Sequence, residues 1–173
     1  EQSSRNWGWI RMQGRDAREI PLMVESQQLW REIAAQTGNA TGFTQAGCLH
    51  LATNEQELAG HATWLDTART VGIGTELLSA RRLAAHLPGN ASKFTGALYT
   101  ATDCRAEPAH AVSAIARLAA AAGAKIFTDC AVRGVEKSAG RISGVVSEKG
   151  TVSASAVICA GGAWTGKFCR SLG

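Results

Sequence analysis

Proline is rare in this chain of 173 residues, with only 3 present, and aromatic residues make up 6% of it. Beside 45% hydrophobic and 18% charged residues, that scarcity excludes a proline-rich or charge-dominated disordered chain and fits a globular protein. The length suits one ordinary domain and is short for two full-sized ones, so a second lobe is expected to be small or shared with polypeptide outside the sequence. Blocks of like charge are also missing. Lys and Arg number 18 against 14 Asp and Glu, a net charge of +4. Without a basic stripe or a DNA-binding motif, nucleic acid is not an expected partner.

Cysteine pairs of the C-x-x-C kind are absent. The five cysteines, Cys48, Cys104, Cys130, Cys159 and Cys169, are scattered and odd in number, which gives neither a disulfide framework nor zinc-ligand spacing. A reducing, cytoplasmic setting is the reading that follows. No apolar run reaches the roughly 20 residues of a membrane span. The longest, near Ala114 to Ala124, is interrupted by Arg117. Residues 1–5 carry neither an initiator Met nor an apolar signal region, and read as a cut inside a longer protein.

Helical spacing of Ile20, Val24, Leu29, Ile33 and Ala34 predicts a helix over residues 19–36, with Pro21 in its first turn and Gly38 as its left-handed cap. Thr44 to Thr53 reads as a strand. Asn54 with Glu57 resembles a capping box for a helix to about Thr70. A short helix over Ser79 to Leu87, a strand over Thr95 to Thr100 and an Ala-rich helix from Pro108 to Ala122 follow. Ala124 to Thr128 has the look of a buried strand. From Val132 the period changes to two: Val132 to Lys137, Arg141 to Glu148 and Val152 to Ala160 read as a β-meander, turning at Ala139-Gly140 and Lys149-Gly150. A short helix from Trp164 to Leu172 closes the chain.

Gly161-Gly-Ala-Trp-Thr-Gly166-Lys167 matches the G-x-x-x-x-G-K part of a phosphate-binding loop. Phe168 stands where such a loop needs Ser or Thr for Mg²⁺, which argues against NTP hydrolysis. Two readings stay open for the glycine pair: close approach of backbone to an anionic ligand, or a tight turn with no ligand. Gly72-Ile-Gly74 begins like a dinucleotide fingerprint, but Leu77 replaces the third glycine and no strand precedes it, so a loop is expected. His50, His61, His86 and His110 show no spacing for a metal or a triad, and Cys159 reads as a small buried hydrophobe. The most unusual stretch is Ser3-Ser-Arg-Asn-Trp-Gly-Trp-Ile-Arg11, where flat rings and fixed positive charge suit a planar, anionic ligand. The alternative is that Trp7 and Trp9 are core residues and the arginines are solvated.

In order and motif, these elements resemble the FAD-dependent D-amino-acid oxidase-like superfamily, which includes glycine and sarcosine oxidases and amine dehydrogenases. Opine-oxidase and D-hydroxyproline-dehydrogenase type subunits are the nearest in character. The resemblance rests on Ser4 to Arg11 with Gly14-Arg-Asp and Ser26-Gln-Gln-Leu-Trp30, on Gly96-Ala-Leu-Tyr-Thr, Asp103-Cys-Arg-Ala-Glu-Pro108 and Gly123-Ala-Lys-Ile, and on Thr151 to Gly162. It implies an α+β (α/β-related) fold: part of an FAD-binding lobe with a β-meander, plus a substrate-binding lobe of antiparallel sheet and helices. On that resemblance, residues 1–38 form a flavin-proximal segment and helix, 39–102 the substrate lobe, and 103–173 part of the FAD lobe.

The chemistry so implied is oxidation of the C–N bond of an amine or amino acid by hydride transfer to flavin, the imine then being hydrolysed. Arg11 falls where sarcosine oxidases grip the substrate carboxylate. Ser4, Arg5, Asn6 and Trp7 would line the flavin, and Val132, Ala160, Gly161, Gly162 and Trp164 would meet the dinucleotide. No catalytic base is assigned and no metal is expected. The G-x-G-x-x-G turn and the ribose-binding acid are missing, so the chain alone is expected to bind FAD weakly or not at all. The implied partners are a small amine or amino acid and, in a hetero-oligomeric dehydrogenase, other subunits. The alternative reading is a non-catalytic subunit-interaction or small-molecule-binding domain.

Overall fold

The computed structural model describes residues 3–172, which form two compact units, residues 3–121 and 122–172. In the first unit the elements run β1 (Trp9–Ile10), a 3₁₀ turn (Ala17–Glu19), α1 (Ile20–Gln36), β2 (Thr44–Gln45), β3 (Cys48–Ala52) and α2 (Glu55–Thr70). They continue through β4 (Thr75–Ser79), α3 (Ala80–Leu83), β5 (Gly96–Thr100), β6 (Cys104–Arg105) and α4 (Pro108–Ala121).

The two longest helices stop in the same way. At the end of α1 the Asn39 N–H donates to Ala34 O at 2.7 Å and Gly38 N–H to Ala35 O, with Gly38 at φ +59°. At the end of α2 the Ile73 N–H donates to Ala68 O at 2.8 Å and Gly72 N–H to Arg69 O, with Gly72 at φ +73°. Both are Schellman closures, which place a glycine where an L side chain would be strained. Gly72 is thus the residue that ends α2. At the start of α2, Asn54 Oδ1 accepts from the Glu57 N–H as predicted, while the Glu57 carboxylate turns to the N–H and hydroxyl of Thr53.

The main sheet has the order β3-β5-β4, antiparallel throughout, with Cys48 and Thr75 both opposite Thr100. Strand alternation puts Cys48, His50 and Ala52 on one face and Leu49 and Leu51 on the other. The His50 ring lies 6.0 Å from that of His61 in α2, so the first face looks toward α2. On the opposite face, Ala97 clusters with Leu83 and Ala91, and Leu49, Leu51, Leu87 and Phe94 pack against them. A second cluster of Met12, Ile20, Ala68 and Ile73 takes in Met23, Trp64 and Val71. A small antiparallel sheet, β1-β6-β2, sets Ile10 and Gln45 opposite Cys104.

The structure differs from several expectations of the sequence. The strand expected over Thr44 to Thr53 breaks at Gly47, whose φ of +73° turns its N–H to Asp103 O; the Tyr99 ring fills the space where a Cβ would stand. The helix expected over Ser79 to Leu87 is regular only at Ala80–Leu83 and then tightens into turns on Leu83 O. Strand β4 follows Gly74 with no alternating pattern to announce it.

In the second unit, β7 (Val132–Ser138), β8 (Arg141–Ser147) and β9 (Gly150–Ser153) form the predicted antiparallel meander. A 3₁₀ turn (Gly162–Trp164) and α5 (Thr165–Arg170) follow it. Ala139 and Gly140, at φ +50° and +78°, make the type I′ turn that their sequence predicts. The second turn sits at Glu148 and Lys149, one residue earlier than expected, since Ser147 pairs with Gly150. Ala124 to Thr128 forms no strand, and Ile126 and Phe127 are exposed. Likewise the strand expected over Val152 to Ala160 ends at Ser153, and Cys159, expected to be buried, is exposed. The reason is common to both: a strand needs a neighbour for its N–H and C=O groups, and neither residues 124–128 nor the chain beyond Ala154, whose N–H still donates to Ser143 O, has a paired strand among the described residues.

Candidate functional site

Arg11 leaves β1 at a half-buried corner of the first unit. Its guanidinium carbon sits 5.2 Å from the centre of the Trp9 ring, and its Nη1 donates to the backbone O of Gln13. A cation over an indole face is held by the ring quadrupole, so Arg11 is fixed on two sides. None of the ion pairs among the described residues uses it.

The backbone beside Arg11 is tied to a buried carboxylate 90 residues away. Asp103 Oδ1 accepts from the Met12 N–H at 2.7 Å and Oδ2 from the Gln13 N–H at 3.1 Å. Gln27, on α1, donates to Ile10 O at 3.1 Å and reaches Asp103 Oδ1 at 3.5 Å. Gln13 donates in turn to Thr100 Oγ1 at 3.0 Å and Cys48 O at 3.3 Å, while Thr75 and Thr100 share a hydroxyl bond of 2.8 Å. Gln13, Thr100 and Asp103 are wholly inaccessible to solvent. Burial pushes the Asp103 carboxyl up from its ordinary value, against the pull of the Met12 and Gln13 N–H groups and of Arg11. On the sheet face nearby, burial pushes the His50 imidazole down, and the charges of Arg11 and His61 push the same way. The result is a cationic corner with a rigid polar underlay.

Of the residues that precede this corner, Asn6 uses its side chain to close its own turn, accepting from the Gly8 N–H at 2.7 Å and donating to Ser3 O at 2.6 Å. Trp7 is 85% exposed and tilted against Trp9, with ring centres 6.2 Å apart. Ser4 and Arg5 are exposed. Asn6, Trp9, Trp30, Val112 and Ile115 contribute to an apolar groove of about 510 Å³.

The second unit gathers four of the residues singled out from the sequence. Val132, Ala160, Gly161 and Trp164 line one apolar pocket of about 360 Å³, with Val145 and Phe168. Gly162 lies at the same turn, at φ +55°. Phe168, which breaks the phosphate-loop pattern, contributes its ring to this pocket.

The sequence profile of the FAD dependent oxidoreductase family matches residues 1–173. The chain belongs to that family. It is 28% identical over 162 residues to the mitochondrial sarcosine dehydrogenase of Mus musculus, covering 90% of this chain and 18% of that protein. It is 25% identical over 160 residues to the D-amino acid dehydrogenase of Bradyrhizobium diazoefficiens, covering 91% of this chain and 38% of the other. Among solved structures, the L-amino acid deaminase of Proteus myxofaciens, in complex with anthranilate, superposes with a TM-score of 0.89 at 30% identity, over 98% of this chain and 39% of that one. The chain therefore spans well under half the length of these relatives.

Family membership accounts for the mixed helix-and-sheet fold with small antiparallel sheets. The polar knot of Gln13, Gln27, Thr100 and Asp103 was not read from the sequence. Asp103 stood inside a segment quoted for the resemblance, but nothing in its local pattern discloses a partner at Met12.

Proposed function

We propose that this chain is part of an FAD-dependent oxidoreductase that oxidises the C–N bond of an amine or amino acid, and that its first unit supplies the seat for the substrate's carboxylate. The observation that carries this reading is Arg11: half-buried, held by Trp9 and Gln13 O, and with no acid paired to it among the described residues. A guanidinium fixed in this way offers paired donors to a carboxylate at any working pH. Amino acids present that group; simple amines do not. Names among the relatives point to the same class, sarcosine and D-amino acids.

For the cofactor, the 360 Å³ pocket of the second unit lies at the small end of ligand-sized cavities and suits one flat ring rather than a whole dinucleotide. Its apolar wall from Val132, Ala160 and Trp164 and its glycine backbone fit the adenine end of FAD. The rest of the cofactor needs groups that the described residues do not include. When bound, FAD supplies the acceptor for the hydride leaving the carbon next to nitrogen. The chain's own contribution is to orient: Arg11 fixes the carboxylate, and Trp7 and Trp9 present flat apolar surface beside it. Ser4, Arg5 and Asn6 are assigned to the flavin-proximal segment on the family resemblance.

The test is Arg11→Ala in the full-length enzyme that contains this chain. KM for a carboxylate-bearing substrate rises by ten-fold or more, while an amide or ester analogue of the same amine is little affected. An unchanged KM for the acid removes Arg11 from the substrate site.

A further inference from the structure

The carboxylate of Asp103 is buried beneath the Arg11 corner, yet it carries no direct ion pair among the described residues. Its two oxygens are spent on the N–H groups of Met12 and Gln13, the two residues that follow Arg11 in the chain. The backbone O that receives the Arg11 guanidinium belongs to Gln13. One carboxylate therefore fixes both the peptide that leads out of Arg11 and the residue whose carbonyl holds its side chain. Gln27 adds a third donor to the same oxygen as Met12 and ties Ile10 O, on the other side of Arg11. Bonds from neutral donors to a charged acceptor are among the stronger kinds, and inside a dry interior they set geometry firmly. A purely structural need for a turn could be met without burying a carboxylate, which burial disfavours.

We infer that Asp103, assisted by Gln27, is the positioning residue that fixes the Arg11 guanidinium for its carboxylate ligand. This inference rests on the assignment of Arg11 above, but its first test does not. Asp103→Asn keeps the shape and one acceptor while placing an amide N–H₂ against a backbone N–H, so the Gln13 bond is lost. In low-temperature NMR spectra of the full-length enzyme with labelled arginine, the Arg11 Nη–H signal, assigned through Arg11→Lys, exchanges with water at least ten-fold faster in Asp103→Asn than in the parent. An unchanged exchange rate overturns the inference, whatever Arg11 binds.

The second test is kinetic. Asp103→Asn raises KM for the carboxylate substrate about ten-fold and leaves kcat within two-fold, and its effect vanishes when Arg11 is already Ala. Equal losses on acid and amide substrates, or additive losses with Arg11→Ala, would show a general structural role and overturn the inference. If Asp103→Asn does not fold, Gln27→Met removes the third donor and the tie to Ile10 O while leaving the Met12 and Gln13 bonds in place. It shows the same faster exchange and the same KM-confined loss at a smaller size, or else the inference fails. Faster exchange with no effect of Arg11→Ala on KM would keep Asp103 as the residue that positions Arg11 and reject the substrate assignment alone.

Discussion

The two units hold their shape by different means. In residues 3–121, helices and strands bury side chains against each other, and every buried hydrophobic residue among those described falls between Met12 and Ala114. In residues 122–172, order comes from backbone ladders and turns, and apolar side chains such as Ile158, 92% exposed, face outward. Hairpins need only their own turn residues and a neighbour a few residues away. A core needs partners from distant sequence, and the second unit has few to draw on. The chain spans well under half the length of the relatives named above.

The largest effect should appear where the first unit is densest. Leu98, 1% exposed in the central strand β5, is expected to cost about 3 kcal/mol when changed to Ala, from lost burial and an unfilled cavity. Val152→Ala, at a half-exposed position in β9, is expected to cost about 0.5 kcal/mol or less, both losses being read by urea titration. A loss of similar size at both sites would erase the distinction between the units.

A smaller effect concerns pH. Asp103 has its pKa raised in the folded state, mainly by burial, so the folded protein binds that proton more tightly than the unfolded chain. Its share of stability is present below the ordinary Asp value and is lost as pH rises through the raised one. The stability difference between parent and Asp103→Asn should therefore shift against the parent across that window, then level off. Asp16 and Glu57, whose pKa values are lowered by hydrogen bonds from Arg18 and Thr53, act in the opposite sense and are common to both proteins. A difference that moves in favour of the parent with rising pH would mean that the Met12 and Gln13 bonds outweigh burial.

What could be read from the sequence divides along the same line. The α1 and α2 boundaries, the Asn54 cap and the Ala139-Gly140 turn were legible because each depends on residues within five positions. Strand β4 was not, because Leu77 and Leu78 are adjacent and give no alternation; its place is set by pairing with β5. Strands are expected over residues 124–128 and 152–160 because their residue types favour extended chain, but for the first, and for the second beyond Ala154, the neighbours that would pair with them are missing among the described residues. At the candidate site, Arg11 stood out through its setting of Trp and Arg. Asp103, Gln13 and Gln27 stayed hidden because the bonds that Asp103 accepts from Met12, Gln13 and Gln27 span 76 to 91 residues.

The most direct measurement is a crystal structure of the full-length enzyme with a carboxylate inhibitor bound. The account predicts the inhibitor's carboxylate within hydrogen-bond distance of the Arg11 guanidinium, with Arg11 still stacked on Trp9 and the Met12 and Gln13 N–H groups still on Asp103. A carboxylate seated on other residues, with Arg11 turned to solvent or paired to another acid, would contradict it.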